Sequence, residues 1–282
     1  AMMASRSSRV PHHRQAKFSP SRRPVVIVRA SALEPGATVL VAGATGGVGQ
    51  LATAALLEKG FKVRAIARSH NTTSLKGFGP NCEVVVADLR EASQVPDLLT
   101  GVSAVVCAIG TTAFPSSRWN GNNGPRPADW TATSNLINAA KQHQLARFTL
   151  VTSAGTQRQK ELPWCILNLF GVLRYKADSE RLLMASGLPW TIIRPSRLTD
   201  GPYTSFDLNT LLQATAGSRR DVTLALTDRL SGEASRIAVA EAVVQSFLLT
   251  EAENKAFSVS SMEGEGPGTE AAKWKALFTS AT

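Results

Sequence analysis

A Gly-x-x-Gly-x-x-Gly motif between an apolar run and a helical segment constrains this chain more than any other feature. The apolar run 39–42 leads directly into Gly43, Gly46 and Gly49, and residues 50–59 have helical composition. In this context the glycines permit a tight turn, close approach of the backbone to a pyrophosphate, and close packing of the helix on the sheet. A helix N-terminus also favours the negative charge of a pyrophosphate. The residues predicted to form this dinucleotide-binding turn are Gly43, Thr45, Gly46, Gly47, Val48 and Gly49.

Strand and helix patterns alternate along the rest of the chain. Strands are predicted over 38–42, 62–67, 82–87, 104–108, 148–152, 190–194, 222–226 and 257–260, and helices over 50–59, 129–142, 178–185, 236–249 and near Trp274. This alternation is typical of an α/β protein with a Rossmann-type, doubly wound parallel sheet. We expect one dinucleotide-binding domain over 37–261, a small substrate-side subdomain contributed by 196–235, and a C-terminal loop and short helix over 262–282.

The end of the second predicted strand indicates which dinucleotide binds. A site specific for NAD(H) has an acidic residue about 20 residues after the glycines, where it binds the ribose 2′-hydroxyl. This chain has Arg68 there, and residues 62–81 contain no acid. A guanidinium pairs with a 2′-phosphate that a carboxylate would repel, so NADP(H) is favoured over NAD(H). A Walker loop would end in Gly-Lys-Ser/Thr, and its absence from the motif disfavours ATP.

Residues at the ends of the later strands are predicted to complete the cofactor site. Asp88 and Leu89 follow the third strand and are expected to meet the adenine. Ala108 and Gly110 end the fourth strand and are expected near the ribose and pyrophosphate. Pro195 follows the sixth strand and is expected to line the nicotinamide site through its backbone.

The positive charge of the chain is concentrated at its beginning. The formal net charge is +10, but seven arginines and lysines precede Glu34, the first acidic residue. Residues 1–30 are rich in Arg and Ser, contain no acid and have no long apolar run, which is typical of an organelle transit peptide. We expect a disordered plastid transit peptide here, with a mitochondrial signal or a basic arm that touches nucleic acid as alternatives. The remaining charge of +3 disfavours specific nucleic-acid binding.

Two further classes of protein are disfavoured by the sequence. No run approaches the roughly 20 apolar residues of a membrane span, so no transmembrane segment is expected. The three cysteines, Cys82, Cys107 and Cys165, are scattered and lack metal-ligand spacing, so no metal site is expected.

Several segments together resemble a known family. The runs VAGATGGVGQ, VVVADL, NLINAAK, FTLVTSAG and ASGLPWTIIRP are similar to those of atypical short-chain dehydrogenase/reductases. More narrowly, they resemble the plant and algal plastid NAD(P)H-binding group that includes Tic62-like relatives. The resemblance covers residues 37–261, and it implies a chloroplast protein of the stroma or the thylakoid periphery.

The resemblance also implies catalytic positions, and the chain departs from them. The family's enzymes use a Ser or Thr after the fifth strand and a Tyr-x-x-x-Lys pair on the next helix. Ser153 matches the first position. Tyr175, however, is followed four residues later by Ser179, and Lys176 is preceded four residues earlier by Val172. The candidate catalytic residues are Ser153, Tyr175 and Lys176, with the usual pair degenerate.

Two neighbouring positions bear on this departure. Counting back from the Ala-Ser-Gly at 185–187 puts Asp178 at the position of the family's lysine, with Lys176 half a turn away. The helix position that often holds an active-site asparagine is Asp129.

These features leave three functions open. The first is an NADPH-dependent reductase of an unknown small or lipophilic substrate, because hydride transfer requires only an oriented nicotinamide and an acceptor. The second is a non-catalytic NADPH-binding scaffold, sensor or assembly factor for a chloroplast complex. The third, an RNA-binding relative of the same fold, is disfavoured by the charge of +3. The long loop 111–127, which carries Arg118 and Trp119, is expected on the substrate side.

Overall fold

Apolar, β-branched runs form a mostly parallel sheet in the computed structural model, which describes residues 32–69, 72–198 and 220–282. The expected transit peptide, and residues 199–219 of the expected substrate-side subdomain, lie outside these ranges. The strands are β1 (Thr38–Ala42), β2 (Lys62–Ala67), β3 (Cys82–Val86), β4 (Ala104–Cys107), β5 (Arg147–Val151), β6 (Trp190–Pro195), β7 (Arg197–Leu198), β8 (Asp221–Ala225), β9 (Glu233–Ala234) and β10 (Lys255–Met262).

The order of the strands creates a crevice at one edge of the sheet. Eight described strands pair in the order β3-β2-β1-β4-β5-β6-β10-β8, and β7 pairs separately with β9. All pairs in the large sheet are parallel except that of β8 with β10. The chain reverses its winding direction between β1 and β4, and in such sheets ligands bind beyond the carboxyl ends of the strands at that point. The predicted Rossmann-type fold class is confirmed.

Helices cover both faces of the sheet. They are α1 (Gly47–Glu58), α2 (Val95–Leu98), α3 (Thr133–Gln142), α4 (Trp164–Leu167), α5 (Val172–Met184), α6 (Arg236–Leu248) and α7 (Ala271–Ser280). Val39 and Val41 of β1 pack in a core with residues of α1, α6 and α7, whereas Leu40 packs in a second core with residues of α2, α3 and α5. This division follows from the alternation of side chains along a strand. No helix within the described ranges has the length and apolar character that crossing a bilayer demands.

Two predicted helices differ from those in the structure. The helix expected over 129–142 is a π-helical turn, Arg126–Ala132, followed by α3. The helix expected over 178–185 begins at Val172 instead, because Gly171 adopts a left-handed conformation (φ +80°) that ends the preceding turn. Val172 and Lys176 lie one turn apart on the buried face of α5. The buried face of the helix therefore begins before residue 178, where the sequence predicted the helix to start.

Candidate nucleotide-binding site

Close backbone contacts hold the glycine-rich turn between β1 and α1. Gly43 has φ +82°, and a Cβ added there would lie 2.6 Å from the carbonyl oxygen of Ala108. A Cβ on Gly49 would lie 2.1 Å from the carbonyl oxygen of Gly43. Gly46 caps α1 without a side-chain hydrogen bond, and no acidic residue lies in the first turn. The helix N-terminus therefore presents amide groups and a positive dipole end to an anion.

A cavity of about 340 Å³ lies against this turn, at the carboxyl ends of the central strands. Its volume is within the range of small-molecule sites. It brings together eight of the residues predicted from the sequence, namely Gly43, Thr45, Gly46, Arg68, Asp88, Leu89, Ala108 and Gly110. Other lining residues include Arg90, Ile109, Thr111, Arg118, Asn123 and Ala128. Gly47, Val48 and Gly49 lie in the first turn of α1, and Pro195 ends β6, all four outside the lining.

The lining of the cavity is positively charged. It includes the guanidinium groups of Arg68, Arg90 and Arg118, while Asp88 supplies a carboxylate. Nε of Arg90 lies 2.9 Å from Oδ1 of Asp88, and its Nη2 lies 2.5 Å from Oδ2. Hydrogen bonding to Arg90 lowers the pKa of Asp88, so this carboxylate is ionised at neutral pH. Asp88, which the sequence led us to expect at the adenine, is therefore engaged by Arg90.

The loop 111–127 closes one side of the cavity through Asn123. Nη1 of Arg90 donates to the carbonyl oxygens of Gly121 and Asn122 at 2.8 and 2.7 Å, and to Oδ1 of Asn123 at 3.0 Å. Nη1 of Arg68 donates to the same Oδ1. Arg90 and Asn123 are not among the site residues predicted from the sequence. Arg90 could have been inferred from its place two residues after Asp88, whereas nothing in the irregular loop distinguishes Asn123.

Lys176 lies buried behind the wall of the cavity. Its Nζ is 2.6 Å from Oδ1 of Asp129, and the Asp129 side chain is fully buried. A Cβ added to Gly110 would lie 3.0 Å from this Nζ and 3.6 Å from the Asp129 oxygen. Burial raises the pKa of Asp129, an effect that Lys176 opposes. The lysine and its carboxylate thus form a desolvated pair directly beside the end of β4.

The side chains of Lys176 and of Asp178, which the sequence puts at the position of the family's lysine, lie on different sides of α5. Residues two apart on an α-helix point in nearly opposite directions, about 200° apart. Lys176 faces the core, whereas Asp178 pairs at the surface with Arg174 and Arg181. Lys176 is therefore the lysine of α5 that points to the site.

The other two candidate catalytic residues, Ser153 and Tyr175, lie outside the lining of the cavity. The hydroxyl of Ser153, which is half-buried, donates to the carbonyl oxygen of Ala154 at 3.0 Å. The Tyr175 ring packs against Gly171, where a Cβ would lie 3.0 Å from it, and the Arg174 guanidinium lies 5.8 Å from its centroid. The structure thus places Tyr175 on a helix flank rather than at the cleft.

A buried ionic network supports the loop that carries Ser153. The carboxylate of Glu180 accepts from the hydroxyl of Thr152 at 2.6 Å, from that of Thr156 at 3.1 Å, and from Nη2 of Arg194 at 2.7 Å. Both charged side chains are almost completely buried, at 3% exposure for Glu180 and 1% for Arg194. These bonds tie α5, β6 and the segment after β5 together.

Aromatic side chains from two loops meet beside the cleft. Phe170 makes edge-to-face contacts with Trp119 at 5.5 Å and with Phe114 at 6.2 Å between centroids. The indole N–H of Trp119 donates to the hydroxyl of Thr112, next to the cavity-lining Thr111. Phe114 and Phe170 are exposed, which gives this edge of the sheet an apolar surface.

Cys107 is buried, whereas Cys82 and Cys165 are partly exposed. Burial raises the pKa of Cys107 to about 11, so its thiol is protonated and weakly nucleophilic. In residues 32–69, 72–198 and 220–282, no three His, Cys, Asp or Glu side chains are grouped so that they could hold a metal ion.

Comparison with known proteins identifies relatives of this chain. A family model described as NAD(P)H-binding matches residues 43–248. The chloroplastic protein TIC 62 of Pisum sativum is 37% identical over 72% of this chain. An uncharacterised chloroplastic protein of Arabidopsis thaliana is 30% identical over 93% of this chain and 81% of its own length. Sanguinarine reductase of Eschscholzia californica is 29% identical over 87% of this chain and 96% of its own length. The chain spans 39% of the length of the pea protein.

Solved structures share the fold at lower sequence identity. A putative NAD-dependent epimerase/dehydratase from Bacillus halodurans superposes with a TM-score of 0.66 at 23% identity, covering 84% of this chain and 99% of its own. A wide-type short-chain dehydrogenase/reductase from Veillonella parvula, solved in complex with NADP, gives 0.57 at 16% identity, covering 82% and 98%. These similarities extend to the architecture of the sheet and its flanking helices.

Proposed function

This chain belongs to the NAD(P)H-binding family, and from that premise we propose that it is a chloroplast NADP(H)-dependent reductase. The observation that carries the choice of cofactor is Arg68, which lines the cavity beyond the end of β2. The equivalent position in a site specific for NAD(H) holds a carboxylate. The names of its relatives, which include chloroplastic proteins and a reductase, support both the compartment and the reaction type.

Each part of the cleft has a role in holding the cofactor. The turn before α1 would hold the pyrophosphate, and Arg68 would pair with the 2′-phosphate. Lys176 would lie beside the nicotinamide ribose, because its Nζ is 3.0 Å from the place that a Cβ on the cavity-lining Gly110 would occupy. When bound, NADPH supplies a hydride from its nicotinamide ring. The proposed acceptor is a small apolar molecule, held against the surface formed by Phe114, Trp119 and Phe170.

Replacing Arg68 with aspartate tests the cofactor preference. We expect the affinity for NADP+ to fall by about 10- to 100-fold, because a charge-assisted bond is lost and a repulsive carboxylate is gained. The affinity for NAD+ should change by less than about threefold, since its 2′-hydroxyl carries no charge. Isothermal titration calorimetry measures both constants. Lys62→Asp, the same charge change at the exposed start of β2, is the control. Equal loss of both affinities in Arg68→Asp would refute the assignment.

Replacing Lys176 with methionine tests whether the cleft is catalytic. We expect NADPH oxidation by the wild-type protein to accelerate with a quinone, flavin, aldehyde or enone. In Lys176→Met, kcat should fall by about 100-fold or more, because the ammonium group beside the cavity-lining Gly110 would donate the proton that accompanies hydride transfer. The affinity for NADPH should change far less than kcat. Lys141→Met is the control, because it makes the same substitution at an exposed lysine in the last turn of α3. It should leave kcat unchanged.

The alternative function is a non-catalytic NADPH-binding scaffold, sensor or assembly factor for a chloroplast complex. The observation that favours it is the helix position four residues before Lys176, where Val172 is buried in place of a tyrosine. Tight NADPH binding without turnover with any of these acceptors, and co-purification with a chloroplast complex, would establish this alternative over the reductase.

A further inference from the structure

Two guanidinium groups in the cleft share one neutral oxygen. Arg68 follows β2, Arg90 follows β3, and both donate through Nη1 to Oδ1 of Asn123, which the loop after β4 carries. All three side chains line the cavity. Two cations converging on an acceptor is the arrangement that binds a phosphate oxygen.

The hydrogen bonds of Arg90 show which of its contacts can be exchanged. Its Nε and Nη2 are engaged by Asp88. Its Nη1 carries two hydrogens but faces three acceptors, the carbonyl oxygens of Asn122 at 2.7 Å and Gly121 at 2.8 Å, and Oδ1 of Asn123 at 3.0 Å. The contact with Asn123 is the longest of the three, so it is the easiest to replace.

Replacing that contact leaves the rest of the turn in place. Arg90 keeps its bonds to the two carbonyl oxygens, and Nδ2 of Asn123 donates independently to the carbonyl oxygen of Asn120 at 2.7 Å. With Asp88 ionised, the two guanidinium groups still leave one net positive charge at this point. A phosphate dianion would therefore be attracted, and it would form stronger bonds than an amide oxygen does.

We propose that Oδ1 of Asn123 occupies the position that an oxygen of the 2′-phosphate of NADP(H) takes when the cofactor binds, and that Arg90 binds this phosphate together with Arg68. The proposal rests on the proposed preference for NADP(H). The phosphate displaces the amide oxygen from both guanidinium groups. A ribose 2′-hydroxyl, being neutral, does not displace it. Asn123 and Arg90 thus determine how strongly the site discriminates between the two cofactors.

The isosteric change Asn123→Asp tests the proposal, because it places a permanent anion between the two arginines. In the full chain, calorimetry with 2′-AMP and 5′-AMP isolates the phosphate, and NADP+ and NAD+ extend the comparison to whole cofactors. We expect affinity for 2′-AMP and NADP+ to fall about tenfold or more, with 5′-AMP and NAD+ changed by less than about twofold. Asn123→Ala removes the competing oxygen and should tighten 2′-AMP binding by about threefold.

The adjacent change Asn122→Asp is the matched control. It introduces the same charge one residue away, at a left-handed position (φ +60°) that aspartate tolerates, and Arg90 binds that residue through its carbonyl oxygen. The proposal is overturned if Asn123→Asp weakens all four ligands equally or none of them, or if Asn122→Asp reproduces its effect. If Arg68→Asp abolishes the preference for NADP+ while Asn123→Asp leaves it intact, this proposal fails alone. If the wild-type protein binds 2′-AMP no better than 5′-AMP, both this proposal and the proposed preference for NADP(H) fail.

Discussion

Replacing Gly49 with alanine is expected to reduce binding of NADP+ and NAD+ by about 100-fold or more. The new methyl group would lie 2.1 Å from the carbonyl oxygen of Gly43 and 2.7 Å from its carbon. Since both atoms belong to backbone, the phosphate-binding turn must move away from α1 to relieve the clash. A displaced turn no longer presents its amide groups to the pyrophosphate, and misplacement by about 1 Å is enough to lose most of such an interaction.

The control for this variant is Gly187→Ala, at a glycine that follows the C-terminus of α5. Gly187 has φ +81° with no atom within 4 Å of an added Cβ. That change should lower the free energy of unfolding by about 1 kcal/mol, because alanine disfavours the left-handed region, and it should leave nucleotide affinity unchanged. Thermal unfolding of both variants separates stability from binding. A Gly49→Ala protein that binds NADP+ as the wild type does would contradict the structure of the turn.

Replacing Glu180 with alanine is expected to lower the free energy of unfolding by about 3–5 kcal/mol. Removing one partner of a buried ion pair leaves the other charge desolvated and unpaired. Here the Arg194 guanidinium would lose all three of its hydrogen bonds to the carboxylate, and the hydroxyls of Thr152 and Thr156 would lose their acceptor. Chemical denaturation measures the change.

Asp178→Ala is the matched control, two residues earlier on the same helix. Its carboxylate pairs with Arg174 and Arg181, whose side chains are 69% and 67% exposed. Pairs in water contribute about 0–1 kcal/mol, so this variant should be nearly as stable as the wild type. Equal losses in Glu180→Ala and Asp178→Ala would show that the network around Glu180 stabilises the fold no more than a pair of surface contacts does.

The central part of the fold follows from local sequence patterns. Alternating strands and helices predicted the parallel sheet, and the glycine spacing predicted the turn between β1 and α1. The position of β10 between β6 and β8 was not predicted, because the place that a distant strand takes in a sheet depends on which edge of the sheet is free. The start of α5 was missed because Gly171, which sets it, acts through a left-handed backbone that composition does not reveal.

The candidate site was predictable where residues follow a strand directly. Arg68, Asp88 and Gly110 lie at strand ends, and parallel strands bring these ends to one edge. Asn123 reaches the same cavity from a loop without periodicity, so only the folded chain reveals it. The side of α5 to which Lys176 points depends on where the helix begins, and the sequence did not predict that start. The roles assigned to these residues stay predictions until the variants are measured.

The most direct test of the account is the pair of dissociation constants for NADPH and NADH, measured by calorimetry on the wild-type chain. The cleft holds three arginines, and its carboxylate, Asp88, is already paired with one of them. The account therefore predicts that NADPH binds at least about tenfold more tightly than NADH. Equal constants, or tighter binding of NADH, would contradict it.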